Sequence, residues 1–334
     1  MINPLQNLRG LGLEGLFHLR PPYPPVALQL DREGIALVRL KHRRRGLPLL
    51  EAHRVRTMPV DNVPASIFQP RAAPAEELVP PLRELFELTG TRPGRVSLVI
   101  PDNLAKITLL RLPERPSSRK QLDELVRSQM RRAVPFKLDE ASLSYQVLPA
   151  EGTGIAVLVV LVRRTLIEQY ETALESIGAR VGLVDLCTTN LINLSRERMR
   201  QAADDGGDVA LLNCARNYFS LAILRNERLI FFRCKSYAID DADPKGPNGV
   251  LVREISNSLS YYQEKLEGQG IGAVFVRSVA VPVEEIGRRL TEMGVARVET
   301  VDPSIALELT NGNRLDPEVG QRIAPAIGAA AGRR

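Results

Sequence analysis

The sequence has few of the residues on which metal sites, disulfides and base-stacking surfaces depend. It contains 3 Cys, 3 His and no Trp, and aromatic residues make up 4% of the chain. Cys187, Cys214 and Cys234 are widely separated and form no CxxC pair, so we expect free thiols in a reducing compartment and no zinc site. The scarcity of aromatic residues argues against single-strand binding, and no nucleic-acid partner is predicted.

Long apolar runs are also missing. The longest, Ile155–Val162, has 8 residues, whereas a transmembrane helix needs about 20. The first 20 residues lack the basic start, compact apolar core and small-residue cleavage site of a secretory signal. We therefore expect a cytoplasmic protein without a membrane span.

What is present is ordinary globular composition in a chain long enough for two domains. The 334 residues are 44% hydrophobic and 25% charged, with a net charge of +6. The densest basic cluster is 41–45 (KHRRR), which suits either a solvated hairpin tip or a contact with an anionic lipid or nucleic acid. Residues 1–24 are predicted to form a separate N-terminal segment, either flexible or interfacial.

The two halves of the chain open with the same pattern. An apolar strand, a short polar break and a second apolar strand occur at 26–40 (VALQLDREGIALVRL) and again at 209–224 (VALLNCARNYFSLAIL). Each pair is followed by alternating helix and strand patterns. This repeat predicts two related α/β domains that face each other across a cleft.

Four further segments, in their order and spacing, resemble the PilM family of cytoplasmic type IV pilus assembly proteins. The resemblance covers roughly residues 24–332, and PilM belongs to the actin-like ATPase superfamily with FtsA, the heat-shock chaperones and sugar kinases. It implies an α/β, actin-like (ribonuclease H-like) two-domain fold with an inserted small α/β subdomain. The segments are VSLVIPDNLAKITLLRLP (96–113), QMRRAVPFKLDEASLSYQVL (129–148), IAVLVVLVRRTLIEQYETALESIGARVGLVD (155–185) and LVREISNSLSYYQEK (251–265).

The resemblance also predicts the domain boundaries. The first actin-like domain is expected at 25–90 and 184–205, and the inserted subdomain at 91–183. The second actin-like domain is expected at 206–332, with about 241–270 as its small helical subdomain.

The superfamily binds Mg-ATP between its two halves through loops with an Asp-x-Gly core. Asp positions the hydrated metal, and Gly lets the main chain approach a phosphate. In this sequence the Asp and Gly positions hold Gln29 and Asp31 in the first loop, and Asn213 and Ala215 in the second. The glycine pair of the adenosine segment is replaced in 276–280 (VRSVA), where Arg277 and Ser278 stand. We predict a pseudo-ATPase with no cofactor, in which ATP and Mg²⁺ are disfavoured.

The resemblance implies a binding role instead. A PilM-like protein holds the N-terminal cytoplasmic tail of a PilN-like bitopic membrane protein in a groove between its first domain and its inserted subdomain. The protein would then lie at the inner membrane, with the pilus cytoplasmic ATPases as further partners. The candidate groove residues are Gln121, Leu125, Arg131, Arg132, Pro135 and Phe136.

Purely structural roles for some of the groove residues stay open as alternatives. Leu125 and Phe136 also suit plain core packing, and Arg131 and Arg132 suit a solvated helix end whose charge complements the helix dipole. Two other functions are alternatives to the scaffold. One is an active actin-like ATPase or sugar kinase, and the other is a GspL-like type II secretion component, a relative that normally continues into a membrane helix. No Walker A, G-x-S-x-G or H-E-x-x-H motif is present.

Overall fold

A computed structural model describes residues 23–32, 34–58, 63–69, 73–149, 154–237, 249–309 and 314–332. The predicted N-terminal segment therefore lies almost wholly outside the described residues. The described chain forms three β-sheets and seven α-helices. It has the actin-like α/β fold, with one sheet in each of two domains and the third sheet in an insertion.

The first sheet has six strands in the order β14-β3-β2-β1-β4-β8. The predicted strand pair at its start is confirmed, since β1 and β2 are antiparallel neighbours in register Asp31↔Gly34. Gly34 is required there because a Cβ would lie 2.3 Å from the carbonyl oxygen of Arg56 on β3. The strands are β1 Val26–Asp31, β2 Gly34–Lys41, β3 Leu49–Thr57, β4 Arg95–Ile100, β8 Arg180–Leu186 and β14 Glu308–Leu309.

Two helices, α1 (Ala75–Leu88) and α3 (Arg164–Ser176), cover one face of this sheet. Apolar positions of α1 repeat every three or four residues, so that Leu78, Leu82 and Leu85 are all buried in the same core. Because α1 and α3 share this core, the first domain includes the helix that follows the insertion.

The insertion carries its own antiparallel sheet in the order β5-β7-β6. It spans Ala105–Arg163, a shorter range than the predicted 91–183. The difference arises because β4 and β8 hydrogen-bond to each other in parallel within the first sheet, and α3 packs beneath them. The elements of the insertion are β5 Ala105–Leu112, α2 Arg119–Ala133, β6 Ala141–Pro149 and β7 Ile155–Arg163.

The second domain has a five-stranded sheet in the order β11-β10-β9-β12-β13. The strand pair predicted at 209–224 is confirmed as antiparallel β9 and β10, and β11 extends it. The α5 helix (Gly249–Lys265) shares its core with this sheet, so it is packed on the sheet rather than set apart as a helical subdomain at 241–270. The other elements are β9 Asp208–Cys214, β10 Tyr218–Arg225, β11 Arg228–Ser236, β12 Ile271–Ser278, α6 Val283–Glu292 and β13 Arg297–Thr300.

Two helices, α4 (Cys187–Asp204) and α7 (Pro317–Ala331), lie between the two large sheets. Ile323 and Ile327 of α7 pack against the first sheet, whereas Ala324 joins a core formed by α4 and the second sheet. The C-terminal part of the predicted second domain thus returns to the first domain, where β14 also pairs with β3. In the described part of the chain, no helix combines the length and apolar character needed to cross a membrane.

Candidate functional site

The six predicted nucleotide positions converge at one end of the two large sheets. Gln29 and Asp31 lie at the end of β1, while Asn213 on β9 is in register with Arg277 on the parallel neighbour β12. These side chains therefore meet where the two domains face α7. The other two positions are Ala215, just after β9, and Ser278, at the end of β12.

Two of these side chains form hydrogen bonds to the main chain of α7, where Pro325 interrupts the helical hydrogen bonds. Pro325 lies inside that helix and has no N–H, so the carbonyl of Gln321 loses its helical donor. The Arg277 Nε donates to this carbonyl at 2.8 Å. One residue further on, the amide of Gln29 is inserted into the ladder: its Nε2 donates to the Arg322 carbonyl at 2.9 Å, and its Oε1 accepts from the Ala326 N–H at 3.2 Å.

The Arg277 guanidinium links α7 to both phosphate-loop positions. It is 1% exposed, and its Nη1 donates to Asn213 Oδ1 at 3.0 Å. Its Nη2 lies 4.0 Å from Asp31 Oδ2 and is buried without a hydrogen-bond partner among the described residues. Asp31 is thus the nearest opposite charge to a buried cation, a relationship that compensates part of the cost of desolvating the guanidinium.

The two remaining positions, Ala215 and Ser278, are also hydrogen-bonded within the protein. Ser278 Oγ donates to the Val281 carbonyl at 2.6 Å, and the Ser278 N–H donates to Gln321 Oε1 at 3.1 Å. Ala215 is buried, its N–H donates to the Tyr218 carbonyl at 2.9 Å, and its carbonyl accepts from the Tyr237 hydroxyl. Polar groups in all three loops are therefore bonded within the protein.

A buried carboxylate next to this cluster joins the two domains. Asp102, which follows β4, accepts from the Thr188 N–H at 3.1 Å and from the Thr188 hydroxyl at the start of α4. From the second domain it accepts from Ser220 Oγ at 2.8 Å and from Asn213 Nδ2 at 3.4 Å. Burial raises the pKa of Asp102, and these hydrogen bonds oppose the rise.

The cysteines are free thiols, as predicted. Cys187 and Cys214 are buried beside the cleft, and burial raises the pKa of Cys214 to about 12. Its thiolate is therefore not populated at neutral pH, and the thiol is unsuited to nucleophilic chemistry. Within the described ranges, no cluster of three or more His, Cys, Asp or Glu side chains could hold a metal ion.

A second candidate site is a small cavity between the first domain and the insertion. One wall is the 63–69 segment, which is tied to the base of the insertion by the hydrogen bond from the Ile67 N–H to the Asn103 carbonyl at 2.9 Å. Arg163, at the end of β7, donates to the Ile67 carbonyl at 2.9 Å. The cavity is lined by Pro64, Ser66, Ile67, Gln69, Leu104, Arg163 and Leu166.

The predicted groove residues are only partly near this cavity. The Phe136 ring lies under the Arg163 guanidinium, 3.9 Å from its central carbon, and packs partly against the core of the insertion. Arg131 and Arg132 are exposed at the end of α2, as is Pro135 just beyond it. Leu125 is half-buried.

Gln121 has a local role at the start of α2. Its Oε1 accepts from the Ser117 N–H at 2.8 Å, while its own N–H donates to Ser118 Oγ at 3.1 Å. The Ser118 bond caps the helix, and the Gln121 side chain holds the residue before the cap. With about 1.5 Å of rise per residue, Gln121 is also about 15 Å from Arg131 along the helix axis.

Sequence reasoning missed several residues of both sites. Asp102 and Thr188 are 86 residues apart in the sequence, so their hydrogen bond has no local signal. Pro325 inside a helical pattern is a visible signal of free carbonyls, but it does not reveal their donors. Phe68 was not predicted either, although its side chain is 56% exposed between two residues that line the cavity.

Comparisons with known proteins agree with this fold. The sequence profile of type IV pilus assembly protein PilM matches residues 28–240. A solved PilM-PilN type IV pilus biogenesis complex has a chain that is 19% identical, with a TM-score of 0.74 over 92% of this chain and 97% of that one. An actin-like ATPase fold protein of unknown function from Bacteroides thetaiotaomicron is 10% identical, with a TM-score of 0.51 over 86% of this chain and 94% of that one. A search of curated proteins gives no match.

The match in the sequence covers well over half of the chain, and the same part contains most of the first sheet, the insertion and the start of the second sheet. The chain therefore belongs to the PilM family of type IV pilus assembly proteins.

Proposed function

We propose that this protein is a non-catalytic scaffold of the type IV pilus assembly platform, peripheral to the inner membrane, that binds the N-terminal tail of a PilN-like bitopic protein. Membership of the PilM family gives it a role in pilus assembly. The solved relative is a complex of PilM with PilN, which supports a partner of the same kind here. The pilus cytoplasmic ATPases are further candidate partners.

The observation that supports the non-catalytic part is the use of nucleotide positions as structural bonds to α7. Mg²⁺ requires oxygen ligands in near-octahedral geometry. Gln29 instead bridges the α7 ladder, and the Asp102 carboxylate already accepts four hydrogen bonds. The buried Arg277 guanidinium lies where the adenosine segment would need a glycine. The residues present do not fit a magnesium nucleotide.

A thermal-shift measurement tests this part of the proposal. We expect saturating Mg-ATP to leave the melting temperature unchanged. A ligand that bound the folded state at 100 times its Kd would instead add about 2.7 kcal/mol of stability. A rise of several degrees, reversed by EDTA, would contradict the pseudo-ATPase proposal and favour an active nucleotide cleft.

The binding part of the proposal is supported by the cavity at the base of the insertion. The cavity itself, at about 10 Å³, has room for only about one water molecule. A peptide would instead lie on the surface beside it, where the 63–69 segment meets the first turn of α3. Phe68 presents an exposed aromatic ring beside it, and aromatic side chains are common anchors in peptide recognition. Arg131, Arg132 and Phe136 stay predictions as further contacts.

The test is a titration with the labelled N-terminal cytoplasmic peptide of a PilN-like bitopic protein from the same organism. We expect Phe68→Ala to weaken binding about tenfold, because it removes an exposed aromatic contact. Leu88→Ala is the matched control, since Leu88 is 55% exposed at the end of α1 and lies outside the cavity. Equal affinities for wild type and Phe68→Ala would mean that the tail binds elsewhere on the protein. A failure of the wild type to bind would contradict the scaffold proposal itself.

A further inference from the structure

The helices α1 and α3 end side by side, and each is followed by a glycine with positive φ. At the end of α1, Gly90 has a φ of 57° and the Thr91 N–H donates into the last turn at 2.9 Å. At the end of α3, Gly178 has a φ of 83° and the Ala179 N–H donates into the last turn at 2.9 Å. These turns satisfy carbonyls that a helix end otherwise leaves free, so neither end needs a donor from outside.

A cavity of about 490 Å³ lies between these two helix ends. Pockets that bind small molecules commonly have volumes of about 300–1,000 Å³ and combine apolar walls with a few polar groups. The apolar part of the lining is Phe86, Ile177 and Pro93. Phe86 belongs to the core of the first domain, and Ile177 packs against that core while staying half-buried. The cavity thus offers a supported apolar wall to a ligand.

The same cavity carries positive charge that the protein leaves unpaired. Arg83 on α1 and Arg92 in the loop after it line the cavity, and both are exposed. Neither forms an ion pair or a hydrogen bond with another residue of the described chain. Arg39 donates to the Gly90 carbonyl at 2.8 Å and so holds the loop from behind. The lining has one acidic side chain, Glu87, and therefore one more positive charge than negative.

We propose that this cavity binds a small organic anion, with its acidic group at Arg83 and Arg92 and its apolar body against Phe86 and Ile177. A guanidinium presents a planar set of N–H donors that matches the oxygens of a carboxylate, sulfonate or phosphate. Contact with the apolar wall removes the rest of the ligand from water. The volume is that of one small molecule, and the lining comes from three short segments, so we commit to a ligand of metabolite size.

This cavity is separate from both sites described above. Its loop leads directly into β4, which begins at Arg95 and ends at Ile100, two residues before the buried Asp102. At about 3.3 Å per residue, the strand places the cavity about 17 Å from the Asp102 cluster. The small cavity at the base of the insertion lies at that far end as well, since Leu104 lines it. The inference therefore does not depend on the proposed binding of a tail.

The test uses anilinonaphthalene sulfonate, an aromatic anion whose fluorescence rises in an apolar environment. N-phenylnaphthylamine has the same ring system without the sulfonate and is the matched neutral probe. In fluorescence titrations of the full chain, we expect one saturable site for the anionic probe and about tenfold weaker binding of the neutral one. Inorganic phosphate at the concentration of the probe should not displace it, because phosphate has no apolar body.

Variants of the lining connect the probe to this cavity. R83A/R92A should weaken binding of the anionic probe about tenfold and leave the neutral probe unchanged. E87Q removes the acidic group and should tighten binding of the anionic probe about twofold. The matched control is R131A/R132A, which removes another exposed arginine pair and should bind both probes like the wild type. Thermal melts would establish that the variants fold.

The results decide the proposal as follows. Weaker binding by R83A/R92A, together with tighter binding by E87Q and no effect of R131A/R132A, would support an organic-anion site between α1 and α3. Equal affinities of R83A/R92A and the wild type for the anionic probe, or equal affinities of the wild type for the two probes, would overturn it. Displacement of the probe by an equal concentration of inorganic phosphate would reduce the cavity to an adventitious ion only and would also overturn the proposal.

Discussion

Arg277 donates a hydrogen bond from its Nε to the carbonyl of Gln321 at 2.8 Å, the acceptor that Pro325 leaves without a helical donor. A residue at a predicted nucleotide position of the second domain thereby stabilises a helix that packs on the first domain. Gln29, from the corresponding loop of the first domain, inserts into the next bond of the same ladder. The helix that contacts both sheets thus depends on contacts from both halves.

The first prediction concerns the Arg277 guanidinium. Arg277→Ala should lower the free energy of unfolding by about 3 kcal/mol, because it leaves buried acceptors on Gln321 and Asn213 without their donor. Urea denaturation measures the change. Arg322→Ala is the control on the same helix, since its side chain is 39% exposed and its ion-pair partner among the described residues is Glu318. We expect a cost of about 0.5 kcal/mol or less. Similar costs for the two variants would mean that Arg277 does not support α7.

The second prediction concerns the first predicted phosphate loop. The double variant Gln29→Asp, Asp31→Gly restores the Asp-x-Gly of the first loop, yet we expect no Mg-ATP binding by isothermal titration. Asp is too short and has no N–H to bridge the Arg322 carbonyl and the Ala326 N–H, so the variant should instead lose about 1–2 kcal/mol of stability. Saturable Mg-ATP binding by this variant would show that the first loop alone had abolished the site.

Local patterns in the sequence predicted the strand pairs well, because antiparallel pairing across a short turn depends on near neighbours. The paired strands at 26–40 and 209–224 follow from runs of apolar residues separated by short polar turns. The resemblance then predicted the order of the domains. In contrast, the predicted insertion was too wide, because the pairing of β4 with β8 joins residues about 85 positions apart and leaves no local signal.

In the candidate cleft, too, residue types could be read from the sequence, whereas the contacts between distant segments could not. The candidate nucleotide positions 29, 31, 213, 215, 277 and 278 were predicted by matching loop patterns, and the absence of an Asp-x-Gly there is visible from residue type alone. Their new partners could not, because Gln29 and Arg322 are 293 residues apart and the bond depends on how α7 packs. Asp102 was missed for the same reason, since its donors come from three separate segments.

The third prediction concerns pH. Burial raises the pKa of Asp102 above its ordinary value of 3.8, so the folded protein holds this proton more tightly than the unfolded chain does. The free energy of unfolding should therefore fall as the pH rises from about 4 through the raised pKa. Asp102→Asn has no group to titrate there, so its stability relative to wild type should improve across that window in urea titrations.

Thr188→Val supplies the companion measurement for Asp102. The Thr188 hydroxyl bond stabilises the charged carboxylate, and its removal should raise the pKa of Asp102 further and make the fall in stability with pH larger. Parallel pH curves for wild type, Asp102→Asn and Thr188→Val would contradict the raised pKa.

The fourth prediction concerns the contact between the two helices that lie between the domains. A Cβ on Gly328 of α7 would lie 2.3 Å from the carbonyl oxygen of Asn190 on α4, a main-chain atom that cannot move alone. Gly328→Ala should therefore push the helices apart and cost about 2–3 kcal/mol, despite the better helix propensity of Ala.

Gly287→Ala in α6 is the matched control, because its Cβ would lie 3.6 Å from a Val298 methyl group in ordinary contact. That variant should gain up to about 1 kcal/mol. Since the two substitutions are chemically identical and both occur within helices, opposite signs in thermal denaturation would isolate the close approach of α4 and α7 as the cause, and a stabilised Gly328→Ala would contradict it.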